Sequence, residues 1–251
     1  MFSYIYQWLI TPLSGALSHE ISTAISWHGR LMVLAWAVLL PLGVVIARFF
    51  KIWPRQDFPN KLDHQGWWIS HQILQYSGLI LMLIGLIFVI KQRQINAEHT
   101  FYTVHQILGY VVVVIGIMQA LSGLLRGSKG GPTDKKLRGD HFDMTKRRII
   151  FEFIHKLLGY FVILLSCLAI YSGLVLADAP RWMFLIIIMW WLLLLGIFMW
   201  LQKQGRAIDT YQAIWGDVDN AANKISAIGL GIKKLTKQEF YLLRNTSKSS
   251  K

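Results

Sequence analysis

The sequence predicts an all-α integral membrane protein with five transmembrane helices. Five stretches of about twenty or more mostly apolar residues occur, and ~20 residues of helix cross ~30 Å of hydrocarbon. Only 16% of the 251 residues are charged and 54% are hydrophobic; soluble domains carry roughly a quarter charged residues. The 26 Lys and Arg, which with 13 Asp and Glu give a net charge of +13, lie almost entirely outside the apolar stretches.

Residues 1–26 are aromatic and weakly apolar, are broken by Pro12 and Gly15, and read as an extracytoplasmic segment lying on the membrane surface. The first 29 residues hold no Lys or Arg, so a cleavable secretory signal with a basic start is not expected. The first span covers about residues 27–50. Pro41 should kink it, because its ring removes a backbone donor and crowds the preceding turn. Residues 51–65, with two prolines, form a loop. The second span, about 66–90, opens on the interfacial pair Trp67 and Trp68. A short polar link leads to the third span, about 101–125. Residues 126–148 are rich in Gly, Asp and basic side chains, which precludes a span. The fourth span follows to about residue 177, and residues 178–181 make a tight turn. The fifth span, about 182–201, has several tryptophans and no histidine, which marks it as scaffold. The transmembrane domain is thus 27–203. Residues 204–251 form a polar, basic tail with at most a short amphipathic helix. Cys167 is the single cysteine and lies mid-span, so disulfides and thiolate clusters are excluded and packing is its role.

Short connections make successive helices alternate in direction. The loops after the first and third spans and the tail then share one side, which carries 21 Lys and Arg against 4 on the other. The positive-inside rule puts the basic side in the cytoplasm, the N-terminus outside and the C-terminus inside. Loop placement accounts for the charge, so nucleic acid is not among the expected partners.

Four of the eight histidines begin a span: His28, His71, His105 and His155. Antiparallel helices place His28 and His105 at the outer level and His71 and His155 at the inner level. The segment His105–Leu124 (HQILGYVVVVIGIMQALSGL) repeats as His155–Leu174 (HKLLGYFVILLSCLAIYSGL), sharing His, Leu-Gly-Tyr and the closing Ser-Gly-Leu. At ~100° per residue, Gly109, Gly116 and Gly123 share the face of His105, and Gly159, Ser166 and Gly173 that of His155. On the second span Gly78 and Gly85 share the face of His71. A single interfacial histidine is ordinarily solvated or bonded to a neighbour, but four at matching depth read as metal ligands, since ionisable groups in spans are costly and usually functional. Zinc or copper would draw three or four ligands together. Two imidazoles per level suit haem, whose porphyrin supplies the other four nitrogens, and a groove of small residues gives it room. The spans so read form a four-helix haem-binding bundle with a peripheral fifth helix.

The run His28-Gly-Arg30-Leu-Met, with Trp36 and Pro41-Leu-Gly43 to Ala47-Arg48, resembles the eukaryotic-type cytochrome b561 domain. So do His71, His105-x-x-Leu-Gly109 and His155-x-x-Leu-Gly159, and Asp209–Gly216 (DTYQAIWG) looks like the end of bacterial members. The resemblance spans about residues 27–216. It implies two haem b groups, held by His28 with His105 and by His71 with His155, in a bacterial inner membrane. It further implies electron transfer from a cytoplasmic small-molecule reductant or a quinol to an extracytoplasmic acceptor: ferric iron, a monodehydroascorbate-like radical or a redox protein. The enzyme class implied is a ferric-reductase or monodehydroascorbate-reductase type of transmembrane oxidoreductase. A fused extracytoplasmic domain of the kind some relatives carry is not expected here. A second reading is a quinol-linked haem b anchor serving a separate extracytoplasmic enzyme, and a third is a haem-free scaffold or transporter. Gly78, Gly109, Gly159 and Arg30 are the remaining candidate cofactor contacts, with Tyr110 and Tyr160 as further candidates for the propionates. Expected partners also include a second copy of the chain. His64, seven residues before His71, is an alternative ligand or donor-site residue, and His141 could help bind an anionic donor.

Overall fold

A computed structural model of the chain describes residues 2–15, 21–95, 103–126, 146–217 and 224–249. It is all-helical among those residues: α1 Phe2–Ile10, α2 Thr23–Phe49, α3 Gly66–Ile95, α4 Val104–Leu125, α5 Lys146–Leu176, α6 Arg181–Lys203, α7 Thr210–Trp215 and α8 Lys237–Ser249. Five of them, α2 to α6, are long and apolar enough to cross a membrane. His19, His99 and His141 lie outside the described residues.

By internal contacts the chain divides into two units. The first comprises Met1–Leu42, Leu74–Met118 and Tyr160–Ile197, and the second Gly43–Ile73, Gln119–Gly159 and Phe198–Lys251. Each long helix contributes a segment to both, so the division cuts across the sequential boundaries read from the sequence. The core of the first unit gathers Trp36 and Ala37 from α2, Met82 from α3, Val112 from α4, Val162 and Ile170 from α5 and Ile187 from α6. Large apolar side chains on the opposite faces are exposed, as on Ile80, Val114, Leu164 and Met189, which is what helices bordered by lipid require.

Pro41 acts on α2 through hydrogen bonding. Residues Leu34–Leu39 widen into a π-helix, and Leu40 bonds back five residues to the Ala35 carbonyl. Proline lacks the amide that would reach the Ala37 carbonyl. Trp190 of α6 supplies the missing donor, its Nε1 lying 2.8 Å from that oxygen. A helix bulge of this kind needs an outside donor, because an unpaired carbonyl has no water to turn to in lipid. Trp190→Phe is therefore expected to destabilise the first unit by about 1–3 kcal/mol, measurable as a lower melting temperature in detergent.

The segment α1 buries no residue. Phe2, Tyr4, Tyr6 and Trp8 are all exposed. It is tied to the turn before α6: Leu13 N–H donates to the Ala179 carbonyl at 2.9 Å, Arg181 N–H to Thr11 at 3.1 Å, and the Arg181 guanidinium lies 5.0 Å from the Trp8 ring centre.

The tail departs from the sequence expectation. Residues 204–251 read as a polar, basic tail with at most a short amphipathic helix, yet they include α7 and α8, and Tyr211, Gln212, Ala213, Ile214 and Phe240 are buried in the second unit. Asp209 caps α7 by accepting from the amides of Tyr211 and Gln212. The turn Ile228–Gly231 then lays backbone carbonyls on cations of the preceding helices. Lys156 Nζ donates to Ile228 at 2.6 Å and Arg48 Nη2 to Leu230 at 2.7 Å. Gly231 has φ +63°, and a Cβ there would come within 3.2 Å of Arg48 Nη2. Only glycine meets both demands.

Candidate metal centre

Each unit contains one pair of the span-initial histidines. In the first unit α2 carries His28 and α4 carries His105. Their ring centres are 6.2 Å apart and their planes lie at 85°. Two imidazoles bonded at ~2 Å to opposite sides of one metal have ring centres roughly 6 Å apart. His71 of α3 and His155 of α5 belong to the second unit and are near enough for their charges to interact, with Arg126 close to both.

Every one of the four rings has a partner for Nδ1. His28 Nδ1 donates to the Gly85 carbonyl at 2.9 Å, His105 to Ala169 at 2.9 Å and His71 to Gly43 at 3.0 Å. His155 Nδ1 lies 3.3 Å from the Ser122 hydroxyl. A carbonyl only accepts, so the rings of His28, His71 and His105 hold a proton on Nδ1 and present Nε2 as the free atom. That is the arrangement in which an outer partner fixes tautomer and orientation for a metal-binding imidazole. Ser122 and Ser172 are neighbours of the histidine rings that spacing arguments passed over. Their signal was present in the Ser-Gly-Leu that closes both repeats: the serine ending each copy sits beside the histidine that begins the other, with Ser172 3.5 Å from His105.

The small residues divide into two groups. A Cβ added at Gly109, Gly123 or Gly159 would meet nothing within 4 Å, so the backbone there faces open space. Gly78, expected to line the groove, instead receives Leu40, whose Cδ2 would lie 2.8 Å from an added Cβ. Gly85 receives Leu31 and Met32, and Gly116 receives Trp36 at 3.1 Å. Small residues in membrane helices commonly serve such close packing. At Gly173 the neighbour is His105 itself, its Cε1 2.7 Å from an added Cβ. Arg30 is exposed and stands over Trp27, 5.3 Å from the ring centre.

These residues fit haem b. Each site offers two imidazole nitrogens and, beside Gly109 or Gly159, room next to a helix. Among the described residues no three His, Cys, Asp or Glu converge as a site for a bare metal ion would require.

Around the second pair lies a set of buried charges. Glu152 accepts from Lys156 at 2.6 Å, and Arg148 Nε donates to the Tyr211 hydroxyl at 2.8 Å. Burial raises the Tyr211 phenol, and burial likewise raises Asp209. Lys51, only 3% exposed, donates to the carbonyls of Arg48 and Ile208 at 3.2 and 2.9 Å. Burial, reinforced by Lys156, pushes its ammonium down to about 7. An unfolded lysine stays protonated to ~10.4, so between those values the unfolded chain binds the extra proton. Stability should therefore rise from pH 7 toward ~10, by on the order of a few kcal/mol, with no contribution to the slope from this group below 7. Thermal unfolding of Lys51→Met across that range should lack the rise.

His64 stands apart from the pairs. It stacks on Trp53 at 5.2 Å and 14° and accepts from the Gly66 amide at 3.1 Å. With Arg55, Lys61 and Asp63 it lines an open cleft of about 510 Å³.

Comparison with known proteins bears on both pairs. The model of a family described as eukaryotic cytochrome b561 matches residues 27–179, which include all four histidines. A cytochrome b561, DM13 and DOMON domain-containing protein of Arabidopsis thaliana is 27% identical over 145 residues, 58% of this chain and 14% of that protein. Human ferric-chelate reductase 1 is 30% identical over 125 residues, 49% of this chain and 20% of the reductase. A shorter Arabidopsis cytochrome b561 domain-containing protein is 30% identical over 132 residues, 53% of this chain and 47% of its own length. The chain thus spans less than half the length of these relatives. No solved structure matches.

Proposed function

The chain belongs to the eukaryotic cytochrome b561 family, and on that footing we propose that it carries electrons singly across the membrane through two haem b groups. One is held by His28 and His105, the other by His71 and His155. Gly109 and Gly159 give the two porphyrins room, and Arg30 is placed at the span start for a propionate contact. Bound haem supplies a one-electron ferric–ferrous couple whose potential follows its ligands and surroundings. The observation that carries this reading is the 6.2 Å separation of His28 and His105 with both Nδ1 atoms already engaged. With an imidazole on each side a bound haem would have no open coordination position, so the four histidines would restrict the protein to electron exchange.

The basic side, with the tail, lies in the cytoplasm, and the donor approaches there as a small-molecule reductant or a quinol. The cleft lined by Arg55, Lys61 and His64, together with Asp57 and Asp63, offers a polar surface on that side. The acceptor lies outside; the ferric-chelate reductases among the relatives favour ferric iron as its class. In proteoliposomes loaded with reductant, external ferric chelate should be reduced only when the protein is present. If a quinol in the bilayer is oxidised while trapped ascorbate is not, the donor assignment passes to the quinol. If neither donor drives reduction of the external chelate, transmembrane electron transfer is refuted.

A further inference from the structure

The acceptor opposite each Nδ1 governs how strongly Nε2 donates to iron. Three of the four rings bond to backbone carbonyls at 2.9–3.0 Å. His155 has only the Ser122 hydroxyl, at 3.3 Å. That hydroxyl donates onward to the Gln119 carbonyl at 2.9 Å, so its oxygen is left to accept from His155. Gln119 holds the same stretch of α5 from the other end, its Nε2 donating to the His155 carbonyl at 3.1 Å. The repeat supplies an internal comparison. Ser172 occupies the equivalent place beside His105, but there the Ala169 carbonyl takes the bond and the serine stands off at 3.5 Å.

An amide carbonyl is the stronger acceptor, and the shorter bond gives the imidazole more anionic character, which raises ligand basicity and favours ferric iron. We propose that Ser122 is a positioning residue that sets the potential of the His71–His155 haem, making it the higher of the two by giving His155 the weakest of the four acceptors. The surrounding charge acts in the same direction. Arg126 is close to both histidines and favours the less positive, reduced iron, while Lys156 and Glu152 pair with one another at 2.6 Å. An electron arriving at this site is thereby held near the face that the basic loops assign to the donor.

This inference rests on the two-haem reading, and redox potentiometry of the full-length protein, followed by absorbance, separates the two. Fewer than two haems per chain by pyridine extraction contradicts the reading itself, whereas two haems that share one midpoint overturn this proposal alone. With both haems present, Ser122→Ala should raise the higher midpoint alone, by up to a tenfold change in the ferrous-to-ferric ratio, which is 59 mV for one electron. Ser122→Asn, which offers an amide carbonyl, should lower it. Ser122→Thr should restore the wild-type value, and Ser172→Ala should leave both midpoints in place. A purely structural serine would give the same sign in the alanine and asparagine variants. The proposal is overturned if Ser122→Ala and Ser122→Asn leave the midpoints unmoved, shift them in one direction, or act on the lower one. Should Ser122→Ala release the haem, the opposition between asparagine and threonine decides the matter by the same criteria.

Discussion

Replacing His105 with Ala is expected to remove one haem and leave the other, so that the b-type absorbance per chain falls to about half. His28→Ala should give the same loss, and the double variant should lose no more than either single one, because both remove one site. Residues that act as a unit are non-additive in this way. His28→Ala combined with His71→Ala should abolish binding altogether. The pattern follows from the way the fold distributes the four histidines: His28 and His105 face each other across 6.2 Å in one unit, whereas His71 and His155 belong to the other. Pyridine-extracted haem measured against protein concentration checks it. A variant of His105 that lost both haems equally would break the assignment.

Gly173→Ala is expected to have nearly as large an effect without touching a ligand. The new methyl would sit 2.7 Å from His105 Cε1 and 3.0 Å from Nδ1, closer than carbon atoms approach without one of them moving. His105 would turn off the Ala169 carbonyl, and the loss of such an outer partner typically costs ~10–100-fold in affinity. The equivalent glycine of the first repeat behaves differently. Nothing lies within 4 Å of a Cβ at Gly123, so Gly123→Ala should retain both haems. Haem titration into the two apo variants distinguishes them, and equal affinity would show that the close approach at Gly173 is not what seats His105.

The membrane class was legible in the sequence, and so was the pairing of His28 with His105 in one unit and His71 with His155 in the other, because both rest on local, periodic signals. Apolar runs of about twenty residues have one stable answer in lipid, and a histidine at the same place in four spans cannot be accounted for by packing. The smaller features were legible only as spacing. Gly78 and Gly109 carry the same signal, a missing side chain on the histidine face, yet Leu40 fills the space at one and nothing fills it at the other. Which applies depends on the neighbouring helix, and one helix's periodicity does not contain its neighbour. Pro41 announced a distortion of α2, but the donor that makes the distortion tolerable, Trp190, is 153 residues from the Ala37 carbonyl it serves. The tail was hidden for a further reason. Residues 225–235 have no continuous apolar run; they are held by carbonyls laid on Arg48 and Lys156, and a carbonyl belongs to every residue, so composition does not reveal it. The serines beside His105 and His155 lay between these extremes. They stand in a shared Ser-Gly-Leu whose meaning appears only when one copy is set against the histidine of the other.

The account's central claim is two bis-histidine haems in one chain, and electron paramagnetic resonance on the oxidised, purified protein, quantified against protein, tests it most directly. Two low-spin ferric haem signals of equal weight, with two haems per chain and no high-spin component, are the predicted result. One haem per chain, or a high-spin signal reporting an open coordination position, would contradict it.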